Sequence, residues 1–326
     1  MDKLFINKYK PKNIDDLIFE DSFKKILQNL IDNEILNIII SGNNSCGKTT
    51  IIKLLINSYY KNINISDNLK DNNILYIHET KDQGIHYFRN ELHLFCKTCS
   101  TIKNKKKIVV LDDFDLINEQ SQQVFRNLID TYSSSIIFIM SCTNIHKIIN
   151  SIQSRQLILN IPPIDNTQMI NLCKKIINSE NIKISDDLLN HIVLVSNNSI
   201  IRILNYLQKC HLINKELNIT NSKDIMTHVD FEELDKYFIF IKESKIYDAI
   251  NVILSLIDKG YSVIDILDSF YIYLKDQSYN TLEENEKYLI IFLICKYITI
   301  FYDIHENDIE LVFLTNNIYK TININS

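Results

Sequence analysis

Leu36-Asn-Ile-Ile-Ile-Ser41, then Gly42-Asn-Asn-Ser-Cys-Gly47-Lys48-Thr49-Thr50, then Ile51-Ile-Lys-Leu-Leu-Ile56 follow one another without interruption. A β-branched run of strand length leads into a glycine-bearing loop, and the loop opens into apolar positions at helical spacing. The middle stretch satisfies G-x-x-x-x-G-K-[ST] in the context that motif requires, strand before and helix after. Gly42 and Gly47 let the backbone curl, so the N–H groups from Asn43, Asn44, Ser45 and Cys46 through to Thr50 can point at phosphate oxygens. The start of the helix adds the positive end of its dipole. Lys48 is expected to reach the β and γ phosphates, and Thr49 to offer its hydroxyl to Mg²⁺. ATP with Mg²⁺ is the expected ligand; the competing reading is a plain glycine-bearing turn.

The same alternation continues outward from the loop. Strands are predicted over Leu36–Ser41, Ile74–His78, Ile108–Leu111, Ile136–Ser141 and Leu157–Ile161. Between them, Phe23–Ile31, Lys48–Tyr60, Ile85–Thr98 and Glu119–Tyr132 place apolar residues three and four apart. Strands alternating with helices imply an α/β fold, a doubly wound parallel sheet. Lys107-Ile-Val-Val-Leu-Asp112-Asp113 sets two carboxylates at the C-terminal end of a buried strand, where ligands gather in such sheets. Asp112 is expected in the Mg²⁺ shell, and Asp113 as the general base that orients the attacking water. The alternative, acidic residues capping the next helix, suits Asp115 better than Asp112. The polar stretch Asn62–Asn73 reads as a surface loop.

At Pro162-Pro163 the strand pattern stops, and the remainder reads as helices only. The expected domains are a P-loop core over 1–162, a small helical lid over 163–228 and a separate helical block over 229–326. The last has apolar spacing in Leu234–Ile241, Ile246–Ile257, Val263–Leu274 and Glu284–Phe301.

With 46% hydrophobic residues in 326, the chain can bury a sizeable core, so disorder is not the default. No apolar stretch is long enough to span a bilayer and the start is polar, so a soluble, unexported protein without membrane partners is expected. The seven cysteines lack disulfide-framework spacing; Cys96 and Cys99 form a lone C-x-x-C that reads as free thiols in a reducing compartment. A net charge of −5 means that any nucleic-acid contact must come from a local basic patch. The Lys103–Lys107 run reads as a solvated loop rather than such a patch.

Further motifs resemble the small subunits of replication factor C, the sliding-clamp loaders of the AAA+ ATPase class. Lys8-Tyr9-Lys10-Pro11-Lys12 and Ile14-Asp-Asp-Leu-Ile18 are similar to the segment that lines the adenine pocket in that family, implicating Tyr9, Pro11 and Ile18, against an N-terminal arm that merely packs. His78-Glu-Thr-Lys-Asp82-Gln-Gly84-Ile85 with Arg89 resembles a family segment beside DNA; Arg89 is either a phosphate contact or a solvated helix residue. Gln122-Gln-Val-Phe-Arg126 resembles the family's Q-x-A-L-R helix. Alignment through Lys147-Ile-Ile149 puts Thr143 at the sensor-1 position, with Asn144 the close alternative. Ile152-Gln-Ser-Arg155-Gln156 resembles the I-Q-S-R-C motif, whose arginine enters the neighbouring subunit's ATP site as a trans-acting finger, here Arg155. Ala249-Ile-Asn-Val-Ile-Leu254 and Gly260-Tyr-Ser-Val-Ile-Asp265-Ile-Leu267 resemble the ring-assembling collar, which would occupy 229–326.

Three departures qualify the resemblance. The D-E-x-D box reads Asp112-Asp113-Phe114-Asp115, one methylene short at the base; Ile201 stands at the sensor-2 arginine position, with Arg202 one residue, about 100°, around the helix; and Gln156 replaces cysteine. The resemblance implies an ATP-binding and hydrolysing subunit of a hetero-pentameric clamp loader, with other loader subunits, a sliding clamp and primer-template DNA as partners. Its place would be a nucleus or a viral replication site. The alternatives are a nucleotide-binding scaffold subunit with little turnover, or another AAA+ machine such as a helicase loader or branch-migration motor.

Overall fold

The computed structural model describes residues 4–61, 72–77, 85–102, 104–196, 199–213, 229, 231–275, 282–303 and 305–324. Strands β1 (Ile38–Ser41), β2 (Ile74–Ile77), β3 (Lys107–Leu111), β4 (Ile136–Cys142) and β5 (Leu157–Asn160) form one sheet in the order β2-β3-β4-β1-β5. Every pairing is parallel, with Ile38 opposite both Ile139 and Leu157, and Ile108 opposite Ile137. All residues of β3 and β4 are buried, so these strands are covered on both faces and carry continuous apolar runs, 108–111 and 136–140, instead of alternation.

Helices α1 (Phe5–Lys8), α2 (Asp21–Asp32), α3 (Lys48–Tyr60), α4 (Ile85–Lys97), α5 (Glu119–Tyr132) and α6 (Asn150–Gln153) alternate with the strands. Leu92 and Cys96 of α4 and Phe125, Leu128 and Ile129 of α5 pack against Val109, Leu111, Phe138 and Met140 of the central strands. Burial pushes the Cys96 thiol up to about 11, whereas Cys99 is exposed. The sheet, the order of its elements and the α3 and α5 bounds agree with the expected α/β fold.

Asn73 departs from its reading as loop surface. It is fully buried: its amide donates to Thr101 Oγ1 (2.8 Å), its side-chain oxygen accepts from Thr101 N (3.1 Å), and its carbonyl accepts from Ile108 N (2.9 Å). An asparagine able to satisfy donor and acceptor sites together is tolerated at the mouth of a strand. Residues 62–71 of that stretch lie outside the described residues.

The chain divides into two compact units, 1–216 and 217–326. The first also contains α7 (Asn166–Glu180), α8 (Asp186–Val195) and α9 (Ile200–Ile213). The N-terminal arm lies on these helices. Phe5 N donates to Gln208 Oε1 (3.1 Å), the Phe5 ring meets His211, and Lys8 pairs with Glu180 (2.5 Å). Tyr9 Oη hydrogen-bonds Ser179 Oγ (2.6 Å) and donates to the Glu180 carboxylate.

The second unit is all-α: α10 (Phe231–Lys242), α11 (Ile246–Asp258), α12 (Val263–Lys275), α13 (Glu284–Asp303) and α14 (Asp308–Ile324). Its core is aromatic, with Phe238 stacked on Tyr273 (5.3 Å), Tyr237 against Phe270 (5.0 Å) and Tyr237 Oη donating to Thr315 Oγ1 (3.2 Å). The helix α14 falls in the block expected to be helical, although its apolar face is interrupted by asparagines and threonines and the sequence alone sets no span for it. No described helix is long and apolar enough to cross a membrane.

Candidate nucleotide site

The C-terminal ends of β1, β3 and β4 bring the predicted residues together. After Ser41 the chain turns at Gly42, where an added Cβ would stand 2.9 Å from Cys46 Sγ and 3.2 Å from Ile161 Cβ. Ser45 and Gly47 take left-handed backbone (φ 61° and 100°), and Gly47 caps α3 without any side-chain hydrogen bond. With glycine there, no side chain of the capping residue competes for the first N–H groups of α3, as an anion cradle requires. Lys48 is 7% exposed, and its ammonium donates to the carbonyls of Gly42 (3.0 Å) and Asn43 (3.3 Å), placing the cation within the curl.

Thr49 Oγ1 donates to Asp112 Oδ2 (2.8 Å). A hydroxyl and a carboxylate in contact beside a phosphate cradle form a hard oxygen set that suits Mg²⁺, which takes few protein ligands and keeps several waters. Ser141 of β4, which motif reasoning did not single out, donates to the other Asp112 oxygen and accepts from Asp113 N (2.9 Å). Asp113 itself has left-handed backbone (φ 51°, ψ 51°) and caps the short turn Phe114–Leu116. Strain of that kind in a non-glycine residue costs about 1–2 kcal/mol and is retained where surrounding bonds enforce it, here by Ser141.

Asp115 does not cap the next helix; Asn118 does, its side chain accepting from Ser121 N (3.0 Å). Buried Asp115 instead accepts from Thr143 Oγ1 (2.6 Å), Thr143 N (3.3 Å) and Asn144 N (3.1 Å). Burial opposes its ionisation, but these bonds together outweigh burial and hold its carboxyl below the usual range. Thr143 and Asn144 thus sit beside Asp115, the first bound to it through its hydroxyl, the second also accepting from His146 N (2.9 Å). Gln122, 1% exposed, fastens this segment to α5: its amide donates to the carbonyls of Ile117 (2.9 Å) and Lys147 (3.0 Å), and its oxygen accepts from Ile149 N (2.9 Å).

Next to the loop lies a cavity of about 200 Å³ lined by Tyr9, Pro11, Ile18, Ser45, Cys46, Gly47 and Thr50, and by Leu172, Ile200, Ile201 and Leu204 of α7 and α9. Its walls are largely apolar, as the face of a base requires. Ile201 lines it; Arg202 does not and is exposed. Arg89 falls on α4, but its side chain and residues 78–84 lie outside the described residues.

Arg155 is elsewhere. It lies two residues before β5, at the N-terminal end of the sheet, whereas Gly42 follows the C-terminal end of β1. The β1/β5 register alone puts about 10 Å of strand between those ends. Gln156 beside it is buried, with neither amide atom hydrogen-bonded, and nothing in the structure explains the choice.

Ser141→Ala is expected to destabilise the chain by about 1–3 kcal/mol, because it leaves Asp113 N–H without its partner. The urea midpoint should fall with unchanged slope, and Mg²⁺-dependent nucleotide affinity should weaken with it; wild-type values of both would deny Ser141 this organising role.

Comparison with known proteins agrees with this geometry. Residues 38–162 match the ATPase family associated with various cellular activities (AAA). The chain is 28% identical to a putative replication factor C small subunit of Acanthamoeba polyphaga mimivirus, over 83% of each chain. It is 26% identical to a replication factor C small subunit of Methanococcus vannielii, over 82% of this chain and 84% of the relative. With a probable replication factor C subunit 2 of Dictyostelium discoideum it shares 27% identity, over 87% and 82%. Among solved structures, the Thermotoga maritima RuvB Holliday junction branch migration motor superposes with a TM-score of 0.52 at 14% identity, over 72% of this chain and 79% of that one; the likeness is one of fold.

Proposed function

We propose, for a chain that is an AAA+ P-loop protein related to the replication factor C small subunits, that it is an ATP-binding and hydrolysing subunit of a hetero-pentameric clamp loader. The loader would place a sliding clamp on primer-template DNA. The observation that carries the reading is the separation of Arg155 from its own phosphate loop across the length of the sheet. An arginine so placed is out of reach of its own phosphate loop, which supports a role at a neighbouring subunit's site in a ring.

In this reading Lys48 and the Gly42–Thr50 backbone hold the phosphates, and the apolar cavity with Tyr9, Pro11 and Ile18 takes the base. Thr49 and Asp112 would hold Mg²⁺, which neutralises charge developing on the phosphoryl group. Asp113 orients water, Thr143 or Asn144 senses the γ-phosphate, and Arg155 completes the neighbour's site. Residues 163–228 act as the lid over the base and 229–326 as the collar. Arg89 remains the candidate DNA contact, and a nucleus or viral replication site the compartment.

One observation favours a second reading, a nucleotide-holding scaffold subunit with little turnover: Ile201, at the position where the resemblance expects the sensor-2 arginine, lines the cavity with an apolar side chain. ATP turnover of the full chain, measured alone and with its partner subunits, with and without clamp and primed DNA, separates the two. Turnover stimulated by clamp plus DNA supports the active loader. Tight ATP binding with no stimulated turnover in any mixture selects the scaffold.

A further inference from the structure

The last turn of α5 carries Asp130, which has no part in the motifs described above. Its Oδ1 accepts from Arg155 Nε (2.5 Å), and its Oδ2 faces Arg126 Nε one turn earlier (3.5 Å), so each carboxylate oxygen has its own guanidinium. Arg155 Nη1 donates to the Ser151 carbonyl (2.6 Å) and, at longer range, to Ser154 Oγ (3.5 Å). Two adjacent nitrogens of a planar, rigid fork are therefore pinned, one by α5 and the other by the turn after α6. Pinning them fixes the guanidinium plane and leaves Nη2, whose two N–H groups have no protein partner among the described residues, on the partly exposed side chain. An exposed ion pair adds little to folding. Its consequence is the direction in which Nη2 points.

We infer that Asp130 is the positioning residue of Arg155, holding the guanidinium so that Nη2 is presented to the neighbouring subunit's phosphate. The inference rests on the reading of Arg155 as a trans-acting finger. It also gives α5 a further role. The same helix is fixed at its N-terminal end by Asn118 and by Gln122, which grips the segment beside Asp115 and Thr143, and at its C-terminal end it holds the arginine that serves the next site. One rigid helix thus joins the carboxylates of this subunit's site to the arginine offered to the neighbour. Arg126 shares the carboxylate without contacting Ser151, so it balances charge and does not compete for the position of Arg155.

The test uses the assembled complex carrying Asp130→Asn, Asp130→Glu, Arg155→Ala or Asp130→Asn with Arg155→Ala, assayed for stimulated turnover, KM for ATP and melting temperature. Because a misplacement of about 1 Å can cost on the order of 10²-fold, Asp130→Asn should lower kcat by about 10- to 10²-fold with KM nearly unchanged. Asp130→Glu, which restores the charge, should recover part of the loss. The double variant should be no slower than Arg155→Ala alone, since groups acting as a unit are not additive. Wild-type kcat for Asp130→Asn alongside a slow Arg155→Ala overturns the positioning role and leaves the finger standing. Wild-type kcat for both removes the finger and this inference with it. Losses that multiply in the double variant, accompanied by a lower melting temperature, would make Asp130 a folding residue and overturn the inference.

Discussion

Arg155→Ala in the assembled complex is expected to lower clamp- and DNA-stimulated turnover by about 10³-fold at the site the arginine enters, the lower end of what such fingers contribute. ATP affinity of the isolated chain should stay unchanged. The two expectations have one cause. Arg155 begins at the N-terminal end of β5, while Lys48, Thr49 and Asp112 gather at the opposite ends of β1 and β3. A residue across the sheet from its own phosphate loop contributes nothing to binding there. It can supply a planar, permanently charged guanidinium to charge that develops only in the transition state of another site, and such an interaction appears in kcat before KM. Single-turnover hydrolysis by the complex, combined with nucleotide titration of the chain alone, reads both quantities. A loss of ATP affinity in the isolated chain would mean that Arg155 acts in cis, against the sheet geometry.

The residues that sequence reading located are those whose chemistry forces a fixed spacing. Gly42, Gly47, Lys48 and Thr49 are read as a unit because a phosphate cradle tolerates little variation. Asp112 is read from its place at the end of a buried strand. The residues it missed act through partners distant in sequence. Ser141 is one polar position at the end of an apolar run, and its value depends on β3 lying beside β4, which no local pattern encodes. Asp130 looks like any acidic residue of a solvated helix face until Arg155, 25 positions later, is brought against it. Asn73 was mistaken for loop surface because polarity usually reports exposure; three hydrogen bonds allow it to be buried instead. The alternative of Asp115 as a helix cap falls for the same reason, since its partners, Thr143 and Asn144, sit on another strand's loop. At α14, tertiary packing around Leu311, Leu314 and Ile318 outweighs weak local propensity.

Asp113→Glu is expected to raise ATP turnover at this chain's own site by about 10- to 10²-fold, the equivalent of roughly 1.4–2.7 kcal/mol of transition-state stabilisation. The backbone of Asp113 is held in place: its N–H donates to Ser141 Oγ (2.9 Å), and Ser141 in turn holds Asp112. A carboxylate one methylene short on a fixed backbone cannot recover reach by moving the chain, whereas the longer side chain extends toward the same water without disturbing Thr49 or Asp112. ATP affinity should therefore stay constant while kcat rises. Ile201→Arg provides the contrast, because Ile201 lines the cavity beside the phosphate loop from α9, opposite Ser45, Cys46, Gly47 and Thr50. If Asp113→Glu alone raises kcat, the shortened base limits turnover. If only the variant carrying both changes does so, the lid is limiting. If neither does, the chain holds nucleotide as a scaffold, and Arg155 is what it contributes to hydrolysis in the ring.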